Sequence, residues 1–309
     1  METIGDYVLL HALGDGFSGQ VRVGKHSKTG ALAAIKMPSA EILTKKPEIR
    51  GLLAHEFEVL STLSHPHIVR PLGFSKAAAY RREEPKVKYS APFLALELVP
   101  NGELCEVLVE TGALSQEAAR YLFWQILNAV DFLHSKGLAH RDIKLENILL
   151  DQNFDAKLVD FAFAHNWAAP SSARPGTEGY LPPEAFSPDE KYGDPRAWDL
   201  FALGVCLFVM VKGNPAFVNS KPEDQFYRVL SKNPRSFWAI QRKMSRNFDP
   251  SPALQALIEG LLNPNQNERM TVKDVIANEW YNSPVDQSKV KAEIAEKVKI
   301  LKEAKKRIV

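Results

Sequence analysis

The spacing of apolar residues changes along this chain of 309 residues, from the alternation typical of strands to the period typical of helices. Residues 7–37 contain three stretches of alternating apolar and polar residues, separated by glycine-bearing turns, which predict three β-strands. From Ala118 a long amphipathic helix is predicted, and Gly137 ends it. A strand-rich part followed by a mainly helical part indicates an α+β fold with a small antiparallel sheet.

The other predicted elements follow the same division. One main helix is predicted over residues 47–63, because Leu53, Phe57 and Leu60 lie at helical spacing. Two more strands are predicted at residues 68–74 and 92–98, joined by a polar and basic segment. Further helices are predicted near residues 197–212, 223–231, 252–262 and 271–279.

Charge and composition restrict the classes of partner. The chain has 39 basic and 37 acidic residues, a balance that argues against nucleic acid or a membrane as the main partner. No apolar run is long enough to span a bilayer, and the first residues lack a signal-peptide pattern. Cys105 and Cys206 lie beside apolar residues and are expected to pack rather than to form a disulfide. We therefore expect a cytoplasmic protein.

A glycine-rich motif occurs at Gly14, Gly16 and Gly19. The same G-x-G-x-x-G pattern occurs in dinucleotide-binding proteins, where a helix follows it, and in hairpins that cover the phosphates of a nucleotide. Here a strand pattern follows at residues 20–24, which favours the hairpin. This motif alone leaves open a glycine-rich hairpin without a ligand.

A lysine and a glutamate in the strand-rich part are candidates for an ion pair. Lys36 lies in an apolar strand, where a lysine faces solvent or is buried beside an acidic partner. The helix that follows offers Glu48, Glu56 and Glu58, of which Glu56 directly precedes the core position Phe57. A buried Lys36 paired with Glu56 would place a cation where nucleotide phosphates are bound.

The densest polar cluster is residues 140–147, between an apolar helix and an apolar strand. Such a cluster belongs to a functional site or to a plain surface loop. Asp142 is suited to orient a hydroxyl group and accept its proton, and Lys144 to neutralise a moving phosphoryl group. The amide oxygen of Asn147 and the carboxylate of Asp160, which ends a later apolar strand, are candidate Mg²⁺ ligands.

Taken together, these motifs resemble the eukaryotic protein kinase superfamily of the serine/threonine type over about residues 7–280. Within it the chain is most similar to the calcium/calmodulin-dependent and AMP-activated kinase group, through residues 65–74, residues 101–104 and the basic tail. The resemblance implies a bilobal fold, with an N-lobe over residues 1–98 and a larger, mainly helical C-lobe over residues 99–282. It also implies transfer of the γ-phosphoryl group of ATP, with Mg²⁺, to serine or threonine of protein substrates.

The resemblance assigns roles to individual positions. The catalytic positions are Asp142, Lys144, Lys36 and Glu56, and the Mg²⁺ ligands are Asn147 and Asp160. The nucleotide-binding positions are Gly14, Gly16, Gly19, Val21, Ala34, Lys36, Glu97, Val99 and Leu149. Two structural pairs of the family are matched by Glu184 with Arg269 and by Asp199 with Gly204. Glu103 and Glu146 match positions that face basic substrate residues in relatives.

Two departures from the family pattern keep a catalytically inactive, nucleotide-binding scaffold open as an alternative. Ala162 stands where the family has glycine after the metal-binding Asp160 and the following phenylalanine, which is expected to restrict the backbone. Ala173 occupies the position that relatives phosphorylate, with Ser171 and Ser172 beside it. Whether activation requires a phosphate on either serine stays open.

Residues 283–309 are predicted to form one basic amphipathic helix outside the core. Its apolar stripe consists of Val290, Ile294, Val298 and Leu301. Eight basic residues against four acidic ones in residues 285–309 suggest a regulatory partner, a membrane surface or an autoinhibitory contact. A solvated helix that caps the lobe is the simpler alternative.

Overall fold

The computed structural model describes residues 1–16, 19–84, 86–169, 175–187, 193–245 and 248–308. The chain divides into two compact units. Unit 1 comprises Met1–Pro100 together with Val159–Phe163, and unit 2 comprises Asn101–Leu158 together with Ala164–Val309. Unit 1 is rich in strands and unit 2 is mainly helical, which confirms the predicted α+β class.

Unit 1 is built around a closed antiparallel barrel with the strand order β1-β2-β3-β4-β6-β5. The strands are β1 (Glu2–Ile4), β2 (Tyr7–Gly16), β3 (Gly19–His26), β4 (Leu32–Met37), β5 (Pro71–Arg82) and β6 (Val87–Glu97). The three strands predicted within residues 7–37 are confirmed. Strand β1 was not predicted, because three residues are too few to show a period; it pairs with both β2 and β5 and closes the barrel.

Strands β5 and β6 form a long hairpin where a polar connecting segment was predicted, so that prediction was wrong. Ala78 and Tyr80 are buried in the barrel core, while Ala79 between them and Arg81 after them are exposed. The alternation is therefore present, but basic residues on the outer face hide it in the sequence. The hairpin has irregular register between Ser75 and Ala78.

Two helices accompany the barrel, α1 (Ala40–Lys45) and α2 (Ile49–Ser61). Helix α1 begins at Ser39, whose side chain accepts a hydrogen bond from the backbone N–H of Ile42. Helix α2 is the predicted main helix, and it buries Leu53 and Leu60 together with the carboxylate of Glu56.

Unit 2 contains eight helices and four short strands among its described residues. The helices are α3 (Leu104–Thr111), α4 (Gln116–Ser135), α5 (Pro195–Lys212), α6 (Gln225–Lys232), α7 (Pro234–Met244), α8 (Pro252–Leu261), α9 (Val272–Ala277) and α10 (Gln287–Ile308). The strands are β7 (Leu138–Ala139), β8 (Ile148–Leu150), β9 (Ala156–Leu158) and β10 (His165–Asn166). Strand β7 pairs with β10, and β8 pairs with β9, both antiparallel.

Helix α5 is the most buried element of unit 2. The carboxylate of Asp194 accepts a hydrogen bond from the N–H of Arg196 at its first turn, and Gly213 ends it in the left-handed conformation. Gly204 allows close packing on α8, because a Cβ atom there would lie 2.7 Å from the Cβ of Leu261. A central, buried α5 can therefore hold groups of the neighbouring loops in fixed positions.

Helix α10 packs against α3 and α4, so the prediction that it lies outside the core was wrong. Its apolar stripe is buried, with Ile294 fully inaccessible to solvent. The ammonium of Lys297 donates to the carbonyl oxygens of Thr111 and Gly112 at the end of α3. The carboxylate of Glu293 accepts from Ser115, the residue that caps α4. These contacts satisfy backbone and capping groups that helix ends leave unpaired.

None of the helices in the described ranges combines the length and the apolar character needed to cross a bilayer.

Candidate active site

Lys36 of β4 lies at the centre of a buried charge cluster in unit 1. Its ammonium donates to Glu56 Oε2 at 2.7 Å and to Asp160 Oδ1 at 2.8 Å. Glu56 is fully buried on α2, and its other carboxylate oxygen accepts from the backbone N–H of Phe161 at 3.2 Å. One cation is therefore held between two carboxylates, in a position fixed by a strand and a helix.

The two carboxylates of this cluster stabilise the positive charge of Lys36, although they repel each other. Burial acts to lower the pKa of Lys36, but the Glu56 and Asp160 carboxylates outweigh it and hold that pKa above its ordinary value. Burial raises the pKa of Glu56, although Lys36 acts in the opposite direction. Lys36 thus stays protonated at neutral pH and keeps its positive charge for an anionic ligand.

The backbone at Asp160 is unusual for a residue other than glycine. Its φ is 61°, in the left-handed region, a conformation that costs free energy and is common at functional sites. Phe161 is fully buried beside it. Ala162 is also buried. It does not belong to the described non-glycine residues that have a positive φ. Alanine is therefore accommodated at this position without backbone strain in this conformation.

The three glycines of the motif lie on the paired strands β2 and β3, with Gly16 paired to Gly19. A strand on each side of the loop confirms the hairpin and excludes the strand–helix arrangement of dinucleotide-binding proteins. Gly19 has φ 127°, and a Cβ atom there would lie 2.4 Å from the carbonyl oxygen of Met37, so a side chain is excluded. The hairpin also includes Gly14, while residues 17–18 lie outside the described residues.

The other predicted nucleotide-binding positions lie in unit 1, except for Leu149. Val21 of β3 is paired with Lys36, and Ala34 is paired with Val23. Glu97 ends β6, where its backbone N–H donates to the carbonyl of Arg70, and Val99 is buried just after it. Leu149 lies in unit 2 on β8, where it forms an isolated bridge with Glu103.

A second polar cluster, in unit 2, surrounds Asp142. The hydroxyl of Thr177 donates to Asp142 Oδ1 at 2.8 Å, and the ammonium of Lys144 donates to the Thr177 hydroxyl at 3.0 Å. Lys144 also lies 3.1 Å from Asp142 Oδ2. The amide nitrogen of Asn147 donates to the backbone carbonyl of Asp142 at 2.8 Å, which leaves the amide oxygen of Asn147 as the group suited to a metal ion.

Asp199 of α5 holds the backbone that leads to Asp142. Its carboxylate accepts from the backbone N–H groups of His140 at 2.9 Å and Arg141 at 2.8 Å, and it lies 3.0 Å from Nε2 of His134. Arg141 has φ 67°, so the chain turns sharply just before Asp142. A buried carboxylate with this many donors fixes the local backbone far better than a single contact would.

The segment that follows Thr177 is anchored by Glu184, as the family resemblance implied. Its carboxylate accepts two hydrogen bonds from the guanidinium of Arg269, at 2.8 and 2.9 Å. A small pocket beside Asp142 is lined by residues including Thr177, Tyr180, Leu181, Pro182 and Trp198. The positions Ala173, Ser171 and Ser172 lie outside the described residues.

Three carboxylates lie close together at the start of α3 and in the loop after Asp142. Burial raises the pKa of Glu103, and the negative charges of Glu106 and Glu146 add to that effect. The hydroxyl of Tyr180 donates to Glu146 at 3.2 Å. The sequence singled out Glu103 and Glu146 but missed Glu106, which belongs to no motif that carries the family resemblance. Tyr180 lies in a stretch of that resemblance, residues 176–180, but its contact with Glu146 could not be read from the sequence.

The predicted metal ligands lie in different units, Asp160 in unit 1 and Asn147 in unit 2. Across the described ranges, no group of three or more His, Cys, Asp or Glu side chains is arranged to hold a metal ion by itself. The donor types nevertheless fit Mg²⁺, which prefers oxygen ligands and shares its coordination between a few protein groups and substrate phosphates.

Comparison with known proteins identifies the family. A family model described as protein kinase domain matches residues 7–281. The chain is 29% identical over 290 residues to hormonally up-regulated neu tumor-associated kinase homolog A of Xenopus laevis, covering 90% of this chain and 38% of that protein. It is 30% identical over 287 residues to CBL-interacting protein kinase 21 of Oryza sativa subsp. japonica, covering 90% of this chain and 49% of that protein.

The chain thus spans less than half the length of either relative. The family match, in contrast, covers nearly the whole chain, including both polar clusters described above. The chain belongs to the protein kinase domain family, whose members use ATP together with a divalent metal ion.

Proposed function

We propose that this protein transfers the γ-phosphoryl group of Mg²⁺-bound ATP to serine or threonine hydroxyl groups of protein substrates. The observation that carries the proposal is the cluster of Asp142, Lys144 and Thr177, joined by contacts of 2.8–3.1 Å. An acceptor hydroxyl needs a carboxylate to orient it and a cation to neutralise the moving phosphoryl group, and both are present.

Asp142 would accept a hydrogen bond from the acceptor hydroxyl and take its proton as the new O–P bond forms. In the same step the bond between the γ-phosphorus of ATP and the oxygen that bridges it to the β-phosphate would break, with ADP as the leaving group. Lys144 is within reach of the same place through its contacts with Thr177 and Asp142. Its positive charge would balance the negative charge of the transferred group. Because Asp199 fixes the backbone before Asp142, the carboxylate needs little rearrangement before the reaction.

Lys36 would hold the α- and β-phosphates of ATP. The two carboxylates beside Lys36 keep it protonated, and Glu56 fixes its direction. Asn147 and Asp160 would hold Mg²⁺, which neutralises phosphate charge when it is bound.

A nucleotide-binding scaffold without activity is less consistent with these contacts. The alternative was suggested by Ala162 and by Ala173, which lies outside the described residues. Ala162 is buried without a positive φ, so it does not force an inactive backbone. A scaffold also has no chemical need for the ordered contacts of Asp142 with Lys144 and Thr177.

The acidic group of Glu103, Glu106 and Glu146 supports a preference for substrates with basic residues upstream of the acceptor. Burial raises the pKa of Glu103 most, and the negative charges of Glu106 and Glu146 raise it further. Lys305, which pairs with Glu106 at 2.6 Å, offsets part of this negative charge. An arginine of a peptide can bind carboxylates through two parallel hydrogen bonds, which gives specificity. Serine is expected to be preferred over threonine, by analogy with relatives that carry a large unbranched residue at Phe163.

The proposal is tested with purified protein, ATP, MgCl₂ and three matched peptides: one with serine and upstream arginines, one with those arginines replaced by alanine, and one with threonine in place of serine. We expect the first to gain the mass of one phosphate fastest, and EDTA to stop the reaction. ATP binding without any peptide phosphorylation would contradict the proposed activity and favour the scaffold. Equal rates for the first two peptides would contradict the basic preference alone.

A further inference from the structure

Trp167, which directly follows strand β10, makes three separate attachments within unit 2. Its backbone N–H donates to the carbonyl of Gly137 at 3.1 Å. Its indole N–H donates to the carbonyl of His134, at the end of α4, at 3.3 Å. The guanidinium of Arg196 lies over the indole ring, with its carbon atom 3.9 Å from the ring centre. A guanidinium stacked this closely on an indole is an attractive cation–π contact.

Arg196 is itself held in place, at the first turn of α5. Its Nε and Nη2 atoms donate to the carboxylate of Asp194, with distances from 2.7 to 3.1 Å. The same carboxylate accepts from the backbone N–H of Arg196 at 2.9 Å. Because the planar guanidinium is fixed by two parallel hydrogen bonds, its flat face is presented to Trp167 in one orientation.

These attachments lie beside the backbone that leads to Asp142. Strand β10, just before Trp167, pairs with β7, and β7 runs directly into the residues before Asp142. His134, whose carbonyl accepts from the indole, also places its ring nitrogen 3.0 Å from Asp199. Asp199 in turn fixes the backbone of Arg141. Trp167 is therefore linked to the backbone before Asp142 by two indirect routes, one through the paired strands β10 and β7 and one through His134 and Asp199.

We propose that Trp167 and Arg196 are positioning residues for phosphoryl transfer, which hold β10 against β7 and so keep Asp142 in its productive place. All of these contacts are made by side-chain and backbone groups of the chain itself. The inference rests on the proposed kinase activity, since its consequence is read as a reaction rate. It assigns to two residues outside the family motifs a role in catalysis that acts through other residues.

The test compares Trp167→Ala, Trp167→Phe and Arg196→Ala with the unmodified protein. Phenylalanine keeps an aromatic face for Arg196 but loses the indole N–H, so it serves as the conservative variant. Lys212→Ala is the matched control, because Lys212 lies at the other end of α5 over the ring of Phe248, 5.3 Å from its centre. For each variant, kcat and KM for peptide and ATP are measured, with thermal unfolding recorded alongside.

We expect Trp167→Ala to lower kcat about tenfold or more while both KM values stay within about twofold, because a small displacement of a catalytic group costs rate rather than affinity. Arg196→Ala is expected to lower kcat in the same way, Trp167→Phe to retain most of it, and Lys212→Ala to match the unmodified protein. Hydrogen exchange is expected to become faster at the β7–β10 amides in Trp167→Ala alone among the tryptophan variants.

Unchanged kcat in a folded Trp167→Ala variant would overturn the inference. It would also be overturned if Trp167→Phe and Lys212→Ala each lost as much kcat as Trp167→Ala. If Trp167→Ala does not fold, Arg196→Ala decides the question: a lower kcat with unchanged KM values supports the inference, and an unchanged kcat overturns it. An unmodified protein without turnover would instead contradict the proposed function. In that case unchanged hydrogen exchange at β7 and β10 in Trp167→Ala would independently refute the anchoring role.

Discussion

The position of α10 leads to a quantitative prediction about stability. Ile294 and Ile300 lie on the same helix, but Ile294 is 0% exposed and Ile300 is 41% exposed. Replacing a buried isoleucine by alanine removes three methyl or methylene groups and leaves a cavity, which costs about 2–5 kcal/mol. The same replacement at a partly exposed site is expected to cost less than about 1 kcal/mol.

We therefore expect Ile294→Ala to lower the free energy of unfolding by at least about 1 kcal/mol more than Ile300→Ala. Both variants lose the same atoms and the same helix propensity, so their difference reports burial. The free energies are measured by urea denaturation, with the dependence on urea concentration compared to confirm one cooperative transition.

The opposite result is equally informative. If α10 were an autoinhibitory segment that detaches easily from the rest of unit 2, the two variants would have similar free energies of unfolding. Ile294→Ala would then raise kinase activity by releasing the helix. That outcome would refute the view that α10 is part of the core. It would restore the autoinhibitory alternative that the basic composition of residues 285–309 suggested.

Three further predictions concern the charge clusters and the altered glycine position. Lys36→Met is expected to lower kcat/KM about a hundredfold or more. The control Lys45→Met, at an exposed lysine of α1, is expected to leave kcat/KM within about twofold. Peptide phosphorylation measures both variants, and circular dichroism checks their folding. Ala162→Gly is expected to lower the free energy of unfolding by about 0.4–1 kcal/mol, because glycine adds conformational freedom to the unfolded chain. A higher free energy of unfolding in the variant, measured by urea denaturation, would show that alanine is strained there. Burial acts to raise the pKa of Asp155, but hydrogen bonds from Tyr121, Gln125 and Lys291 outweigh it and hold that pKa below its ordinary value. The stabilisation by Asp155 is therefore present above the ordinary aspartate pKa of about 3.9, and it is lost as the pH falls through the lower pKa of the folded state. Asp155→Asn is expected to lose less stability on acidification than the unmodified protein does. Melting temperatures from about pH 6 to pH 2 measure this difference.

The sequence predicted the long elements in which apolar residues recur with a clear period. It did not predict the short elements or those without one apolar face. Helix α4 shows a clear apolar face, and the glycine turns separate β2, β3 and β4. Helix α3 has only eight residues, too few for a reliable period. Helix α7 buries Phe237, Trp238 and Gln241, and because one of these three residues is a glutamine, the apolar residues alone do not show a helical period there.

The outcome for α10 shows what periodicity cannot provide. The stripe that includes Val290 and Ile294 predicted the helix, but a stripe does not say which surface covers it. The surface consists of α3 and α4, which are more than a hundred residues away in sequence. Lys297 and Glu293, which looked like solvated charges, contact the end of α3 and the start of α4.

The candidate site divides in the same way. Motifs predicted the residue types near Lys36 and Asp142, since charged side chains in apolar surroundings have few structural uses. The contacts that position Asp142 come from Thr177 and Asp199, which lie 35 and 57 residues along the chain. Trp167 and Arg196 belong to no motif, and only their stacking in the fold brings them to attention.

The most direct test of the proposed activity is the rate of phosphoryl transfer by Asp142→Asn. Asparagine keeps the shape of the side chain and can still contact Thr177 and Lys144, but it cannot accept the proton of a hydroxyl group. The account predicts that kcat falls about a hundredfold or more while the affinity for Mg²⁺-bound ATP, measured by calorimetry on the same preparations, stays within about twofold. A variant that retains kcat within about threefold of the unmodified protein would contradict the role of Asp142 and with it the proposed mechanism.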